Sequence, residues 1–88
     1  MGRITKIVWT PDAWSDFEWW IDNDVAKVDR IRTLIKAIRR DSFRGIGKPE
    51  ALRGNLQGFW SRRIDREHRL VYSIEQHTLN IVAARYHY

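Results

Sequence analysis

The sequence contains no cysteine, which excludes disulfides, thiol redox motifs and zinc sites built from thiolates. It also lacks any apolar run near the roughly 18 residues that a membrane-spanning helix requires. The apolar part of the N-terminus is too short for a secretion signal. We therefore expect a cytoplasmic protein that makes no contact with a membrane. A length of 88 residues predicts a single domain, residues 1–88, with a modest core.

Motifs that bind metals or nucleotides are also missing. The three histidines, His68, His77 and His87, are scattered, and no two have the spacing of metal ligands on one helix. The stretch GIGKPE contains Gly-Lys, but Pro49 stands where a phosphate-binding P-loop has serine or threonine. The sequence therefore predicts neither a metal site nor a cofactor.

Charge is plentiful and unevenly distributed. Residues 1–26 carry two basic and five acidic groups, a net charge of −3, whereas residues 27–88 carry fourteen basic and six acidic groups, a net charge of +8. The acidic groups are most simply a solvated helix face, with weak magnesium binding as the alternative. The positive charge of the second part favours a polyanionic partner such as nucleic acid over a role in solubility alone.

Capping residues and hydrophobic periodicity predict the order of the elements. Thr10 is the expected N-cap, and Pro11 the first residue, of a helix that ends near Asn23. A glycine-rich loop with one helical turn near 49–53 separates the helices from the last three strands. The predicted elements are a strand over 3–9, helices over Pro11–Asn23 and Val25–Arg40, and strands over 59–64, 67–74 and 78–86 or later. This order, β-α-α-β-β-β, predicts an α+β fold in which a helical hairpin packs on one face of an antiparallel sheet of about four strands.

Arginines are concentrated in the predicted hairpin FWSRRIDREHRLVY. A two-residue turn would place Arg62 opposite Arg69, and a three-residue turn would place Arg63 there. Like charges that stand directly opposite each other destabilise a sheet. The arrangement therefore favours a site where an anion neutralises the pair, with a solvated face as the alternative.

The chain ends in Arg85-Tyr86-His87-Tyr88, directly after strand-like residues. Antiparallel pairing of the last two strands would bring this tail close to residues 67–69. Glu50 is the only acidic residue between Asp41 and Asp65, and it is the candidate base. A carboxylate, an imidazole and arginines are the groups that metal-free RNA cleavage needs.

The segment GKPEALRGNLQGFWSRRIDREHRLVY, followed by AARYHY, closely resembles the YoeB/Txe family of bacterial toxins in the RelE superfamily. The resemblance extends from Lys6 to Tyr88. It implies a RelE-like fold and a ribosome-dependent mRNA endonuclease that cuts messenger in the decoding site. It also implies inhibition by a cognate antitoxin of the YefM/Phd type, and it leaves a homodimer open.

The resemblance assigns roles to individual residues. It implies that Glu50 in KPE and Arg69 in EHR are catalytic, together with the terminal pair His87 and Tyr88. We expect the other basic residues of these motifs to bind RNA phosphates: Lys48, Arg53, Arg62 and Arg63.

Two functions from other classes remain open. One is a non-enzymatic relative that inhibits a protein target such as gyrase, and the other is a plain RNA-binding module. The presence of all four implied catalytic residues favours the nuclease.

Overall fold

In the computed structural model, which describes residues 3–86, the chain begins with one strand and two helices. These are β1 (Lys6–Trp9), α1 (Pro11–Asn23) and α2 (Val25–Arg40). Both helices have the predicted bounds. The Thr10 hydroxyl accepts the N–H of Ala13 at 3.1 Å, which satisfies one of the free donors at the start of α1.

Four strands follow the helices: β2 (Glu50–Ala51), β3 (Trp60–Arg63), β4 (Arg69–Glu75) and β5 (Thr78–Ala83). The helical turn predicted near 49–53 is wrong, because Glu50 and Ala51 pair with β3 and the helical turn occupies Gly54–Leu56 instead. The last strand also ends at least three residues earlier than predicted, at Ala83. At Glu50 and Ala51, tertiary pairing has overridden local propensity.

The five strands form one sheet in the order β1-β5-β4-β3-β2. Strand β1 pairs parallel with β5, and every other neighbouring pair is antiparallel. The α+β class and the order of the predicted elements are confirmed, but the sheet is mixed and contains a fifth strand. Two parallel strands need a long crossover connection between them. Here the connection from β1 to β5 begins with the helical hairpin.

The core lies between the helices and one face of the sheet. Ile31, Leu34 and Ile38 of α2 pack in it with alternate residues of the central strands. These strand residues are Leu70 and Tyr72 of β4 and Leu79 and Ile81 of β5. Because successive strand residues point to opposite faces, the other face of β3 and β4 carries Arg63 and Arg69. Within residues 3–86, no helix is long and apolar enough to cross a membrane.

Candidate active site

The hairpin between β3 and β4 has a three-residue turn. The Ile64 N–H donates to the His68 carbonyl at 2.9 Å, and Arg63 stands opposite Arg69. The Asp65 carboxylate closes the turn by accepting the N–H groups of Glu67 and His68, each at 2.8 Å. An aspartate that bonds to the following backbone in this way forms a tight turn without glycine. Of the two predicted registers, the one that opposes Arg63 to Arg69 is confirmed.

Three acceptors surround the guanidinium of Arg69. Its Nε donates to the Ser61 hydroxyl at 2.8 Å, and its Nη2 lies 3.3 Å from the Lys48 carbonyl and 3.4 Å from Glu50 Oε1. The Arg69 side chain is only 15% exposed, whereas that of Glu50 is 65% exposed. The guanidinium of Arg69 is therefore mostly buried and held by hydrogen bonds. The Glu50 carboxylate lies beside it and faces solvent.

Backbone conformation in the GIGKPE stretch brings Glu50 to this position. Gly47 has φ +83°, and a Cβ added there would come within 2.8 Å of the Leu34 side chain, so the turn requires glycine. Lys48 continues in the left-handed region with φ +49°, which is uncommon for a residue with a side chain. Glu50 then pairs with Ser61 across β2 and β3, which places it next to Arg69.

Three of the predicted phosphate-binding residues, Lys48, Arg53 and Arg63, are exposed. Arg63 shares the face of the sheet that carries Arg69, and Lys48 lies two residues before Glu50. All three are therefore accessible to a phosphate group. Phosphate binding by these residues stays a prediction.

The prediction that Arg62 binds phosphate does not fit its surroundings. Its side chain is fully buried and donates to the Tyr72 hydroxyl and to three carbonyls in the loop after α2. These carbonyls belong to Asp41, Arg44 and Ile46, at 2.7, 3.0 and 3.2 Å. Adjacent residues of a strand point to opposite faces, so one arginine of the Arg62-Arg63 pair had to enter the core.

Tyr72 completes this buried network. Its hydroxyl accepts from Arg62 Nε at 3.1 Å and donates to the Ser42 carbonyl at 2.8 Å. Burial raises the pKa of Tyr72, and the neighbouring Arg62 cation only partly opposes this rise. The phenol therefore stays protonated and keeps both hydrogen bonds. The network fixes the loop that leads from α2 to Lys48 and Glu50.

The described part of the C-terminal tail, up to Tyr86, lies beside the start of β4, as predicted. The Arg69 N–H donates to the Tyr86 carbonyl at 2.7 Å, and the Tyr86 N–H donates to His68 Nδ1 at 2.6 Å. His87 and Tyr88 lie outside the described residues, and their catalytic roles stay predictions.

The sequence did not predict a role in the site for two residues, Ser61 and His68. Both belong to the motifs that suggested it, Ser61 in FWSRR and His68 in EHR. In both motifs the predicted roles fall on the charged neighbours of these two residues. Among residues 3–86, no three histidine, aspartate or glutamate side chains come close enough together to hold a metal ion.

Comparison with known proteins identifies the family. Residues 9–88 match the model of the YoeB-like toxin of bacterial type II toxin-antitoxin systems. The chain is 54% identical over 83 residues to Toxin YoeB of Synechocystis. The aligned residues cover 94% of this chain and 96% of that protein.

Solved structures agree with this assignment. A YoeB dimer from Staphylococcus aureus has a TM-score of 0.90 at 42% identity, covering 97% of this chain and 99% of that one. A heterotetrameric YoeB–YefM toxin–antitoxin complex from the same species has a TM-score of 0.88 at 42% identity, covering 99% and 100%. The resemblance noted in the sequence is thereby confirmed. The chain belongs to the family of YoeB-like toxins of bacterial type II toxin–antitoxin systems.

Proposed function

We propose that this toxin is a metal-independent endoribonuclease that cuts messenger RNA in the decoding site of the ribosome. The observation that carries the proposal is the pairing of Glu50 with Arg69 at 3.4 Å. The backbone N–H of the same Arg69 donates to the Tyr86 carbonyl, one residue before the terminal pair. A carboxylate that is mostly exposed can meet a substrate hydroxyl. An arginine that is mostly buried and held by three acceptors is already oriented for a phosphate.

The proposed reaction is attack of a ribose 2′-oxygen on the adjacent phosphorus. Glu50 removes the 2′-OH proton, the new O–P bond closes a cyclic phosphate, and the bond to the 5′-oxygen breaks. His87 gives a proton to that leaving oxygen, and Tyr88 positions the phosphate. Arg69, assisted by Arg63, stabilises the extra negative charge of the phosphorane-like transition state.

The donors of Arg69 support this role. A guanidinium has five N–H donors, and the hydrogen bonds to Ser61, Lys48 and Glu50 use those on Nε and Nη2. Among the described residues, the two donors on Nη1 remain for a phosphate oxygen. Lys48 lies just before β2 and Arg53 just after it, and both are exposed. We expect them to bind neighbouring phosphates of the messenger.

We also propose that a YefM-type antitoxin binds this chain and blocks the site, and that the toxin can dimerise. The Staphylococcus aureus relatives, a YoeB dimer and a YoeB–YefM heterotetramer, support both statements. The net charge of +8 over residues 27–88 would favour contact with an antitoxin segment of acidic composition.

The test compares the wild-type protein with Glu50→Gln, which keeps the shape of the side chain but removes the base. Each is incubated with messenger alone and with messenger on ribosomes, and cut sites are mapped by primer extension. We expect cuts in the decoding site only when ribosomes are present, and none with Glu50→Gln. Equal cleavage by both proteins would refute the role of Glu50. Inhibited translation with intact messenger would indicate a different kind of toxin.

A further inference from the structure

Three side chains hold the backbone of residues 84–86, which lie beyond the end of the last strand. Strand β5 ends at Ala83, so the polar groups of the following residues need other partners. The Ala84 N–H donates to Asp16 Oδ2 at 2.9 Å, and the Ala84 carbonyl accepts from Trp20 Nε1 at 2.7 Å. The Tyr86 N–H donates to His68 Nδ1 at 2.6 Å. We call Asp16, Trp20 and His68 the tail clamp.

The side chains of the tail clamp also pack against one another and against the core. Trp20 is only 4% exposed, and its ring meets the ring of His68 edge to face, with centroids 4.9 Å apart and planes at 90°. Arg85, between the two clamped residues, places its guanidinium 3.9 Å from the centre of the Trp19 ring. The backbone around the clamp is thus fixed by contacts on both sides.

Tyr86 itself is held in an unusual conformation. Its φ is +60°, in the left-handed region that residues with side chains rarely adopt. Such a conformation persists where the surrounding structure imposes it, and it is frequent at functional sites. It fixes the course of the backbone at residue 86.

The tail clamp is also joined to the proposed catalytic arginine. The Tyr86 carbonyl accepts the backbone N–H of Arg69, the residue that directly follows His68. The guanidinium of the same Arg69 lies beside Glu50. One short segment, His68-Arg69, therefore holds both the tail and the catalytic cation.

From these contacts we propose that Asp16, Trp20 and His68 are positioning residues, which fix the backbone of residues 84–86 and so place the terminal pair for catalysis. The inference rests on the proposed nuclease function. It gives His68 of the EHR motif a role distinct from that of its arginine neighbour: His68 acts through the Tyr86 backbone and not on the RNA.

Two substitutions at His68 separate the hydrogen bond from the ring packing. His68→Phe keeps an aromatic ring against Trp20 but removes the acceptor. His68→Asn loses the ring but places an oxygen at the same number of bonds from the backbone as Nδ1. For each variant we would measure single-turnover cleavage on ribosomes, ribosome affinity, the melting temperature and hydrogen exchange at the Tyr86 amide.

With His68→Phe we expect faster exchange at Tyr86 and a cleavage rate about 10–100-fold lower, because misplacement by about 1 Å can cost 10²-fold. Ribosome affinity should stay unchanged. With His68→Asn we expect a rate close to that of the wild type. The reverse order, an active phenylalanine and an inactive asparagine variant, would show that only ring packing matters and would overturn the proposal.

A second variant covers the case in which His68→Phe does not fold. Trp20→Phe removes the N–H that binds the Ala84 carbonyl and keeps an aromatic ring in the core. We expect slower cleavage at unchanged ribosome affinity, and a wild-type rate would overturn the proposal. Failure of the nuclease function itself would look different, because the wild-type protein would then leave messenger on ribosomes intact.

Discussion

Replacing Arg62 by methionine is expected to destabilise the protein strongly. The substitution keeps a long unbranched side chain but removes the donors of the Tyr72 hydroxyl and of the carbonyls of Asp41, Arg44 and Ile46. A buried polar group that loses its partner costs about 1–3 kcal/mol. Three of these bonds are only partly buried, so water can replace some of the loss, and we expect a total of about 3–5 kcal/mol.

That loss is large compared with the roughly 5–15 kcal/mol by which domains are stable. Arg62→Lys is expected to lose less, about 2–3 kcal/mol, because an ammonium still donates but cannot reach four separated acceptors. Urea unfolding followed by tryptophan fluorescence measures these differences. The matched control is Arg63→Met at the adjacent, exposed position, which should change the free energy of unfolding by no more than about 0.5 kcal/mol.

The outcome also decides between two roles for Arg62. If Arg62→Met left stability within about 1 kcal/mol of the wild type but weakened binding to RNA, the residue would be a phosphate ligand, as first predicted from the sequence. Loss of stability with Arg62→Met, together with loss of cleavage and unchanged stability with Arg63→Met, would assign the two neighbours to opposite faces and opposite tasks.

Three further predictions concern the site and its support. Arg69→Ala should lower the single-turnover cleavage rate about 10²–10³-fold, by analogy with loss of an oxyanion donor; a variant that cleaves normally once bound to ribosomes would contradict this role. Because burial raises the pKa of Tyr72, the folded state holds this proton more tightly than the unfolded state does. That contribution to stability is complete below the unfolded pKa of about 10 and is lost as pH rises through the higher folded value. Urea midpoints between about pH 8 and 11 should therefore fall more steeply for the wild type than for Tyr72→Phe; equal slopes would refute the assignment. Removing His87 and Tyr88 should leave a folded protein that binds its antitoxin and cleaves at least about a hundredfold more slowly; an active truncated protein would exclude a catalytic tail.

Local signals account for what could be predicted of the fold. The helix bounds follow from Thr10-Pro11 at one end and from the polar break at Asn23-Asp24 between the helices, signals that act within one or two turns. The parallel pairing of β1 depends on β5, more than 70 residues further along the chain. No local pattern specifies such a partner. The two-residue strand β2 was missed for the same reason, since only its pairing with β3 makes it a strand.

In the candidate site, too, some features follow from local sequence and others depend on contacts between distant residues. Two adjacent arginines in a strand imply one inward and one outward side chain, but which is which depends on the turn. Only the bonds made by Asp65 and Ile64 settle the three-residue turn and hence the register. Glu50 could be singled out as a lone carboxylate, yet its approach to Arg69 depends on the left-handed backbone at Gly47 and Lys48.

Each part of the proposed active site is held by contacts outside it. The buried Arg62–Tyr72 network fixes the loop that leads to Glu50, Ser61 holds Arg69 from below, and the tail clamp holds residues 84–86. A domain of this size buries too little surface to build a deep pocket. Electrostatic catalysis, however, requires only that charges be oriented before the substrate arrives. Hydrogen bonds from neighbouring side chains provide that orientation on an open face, where we propose that a messenger strand binds.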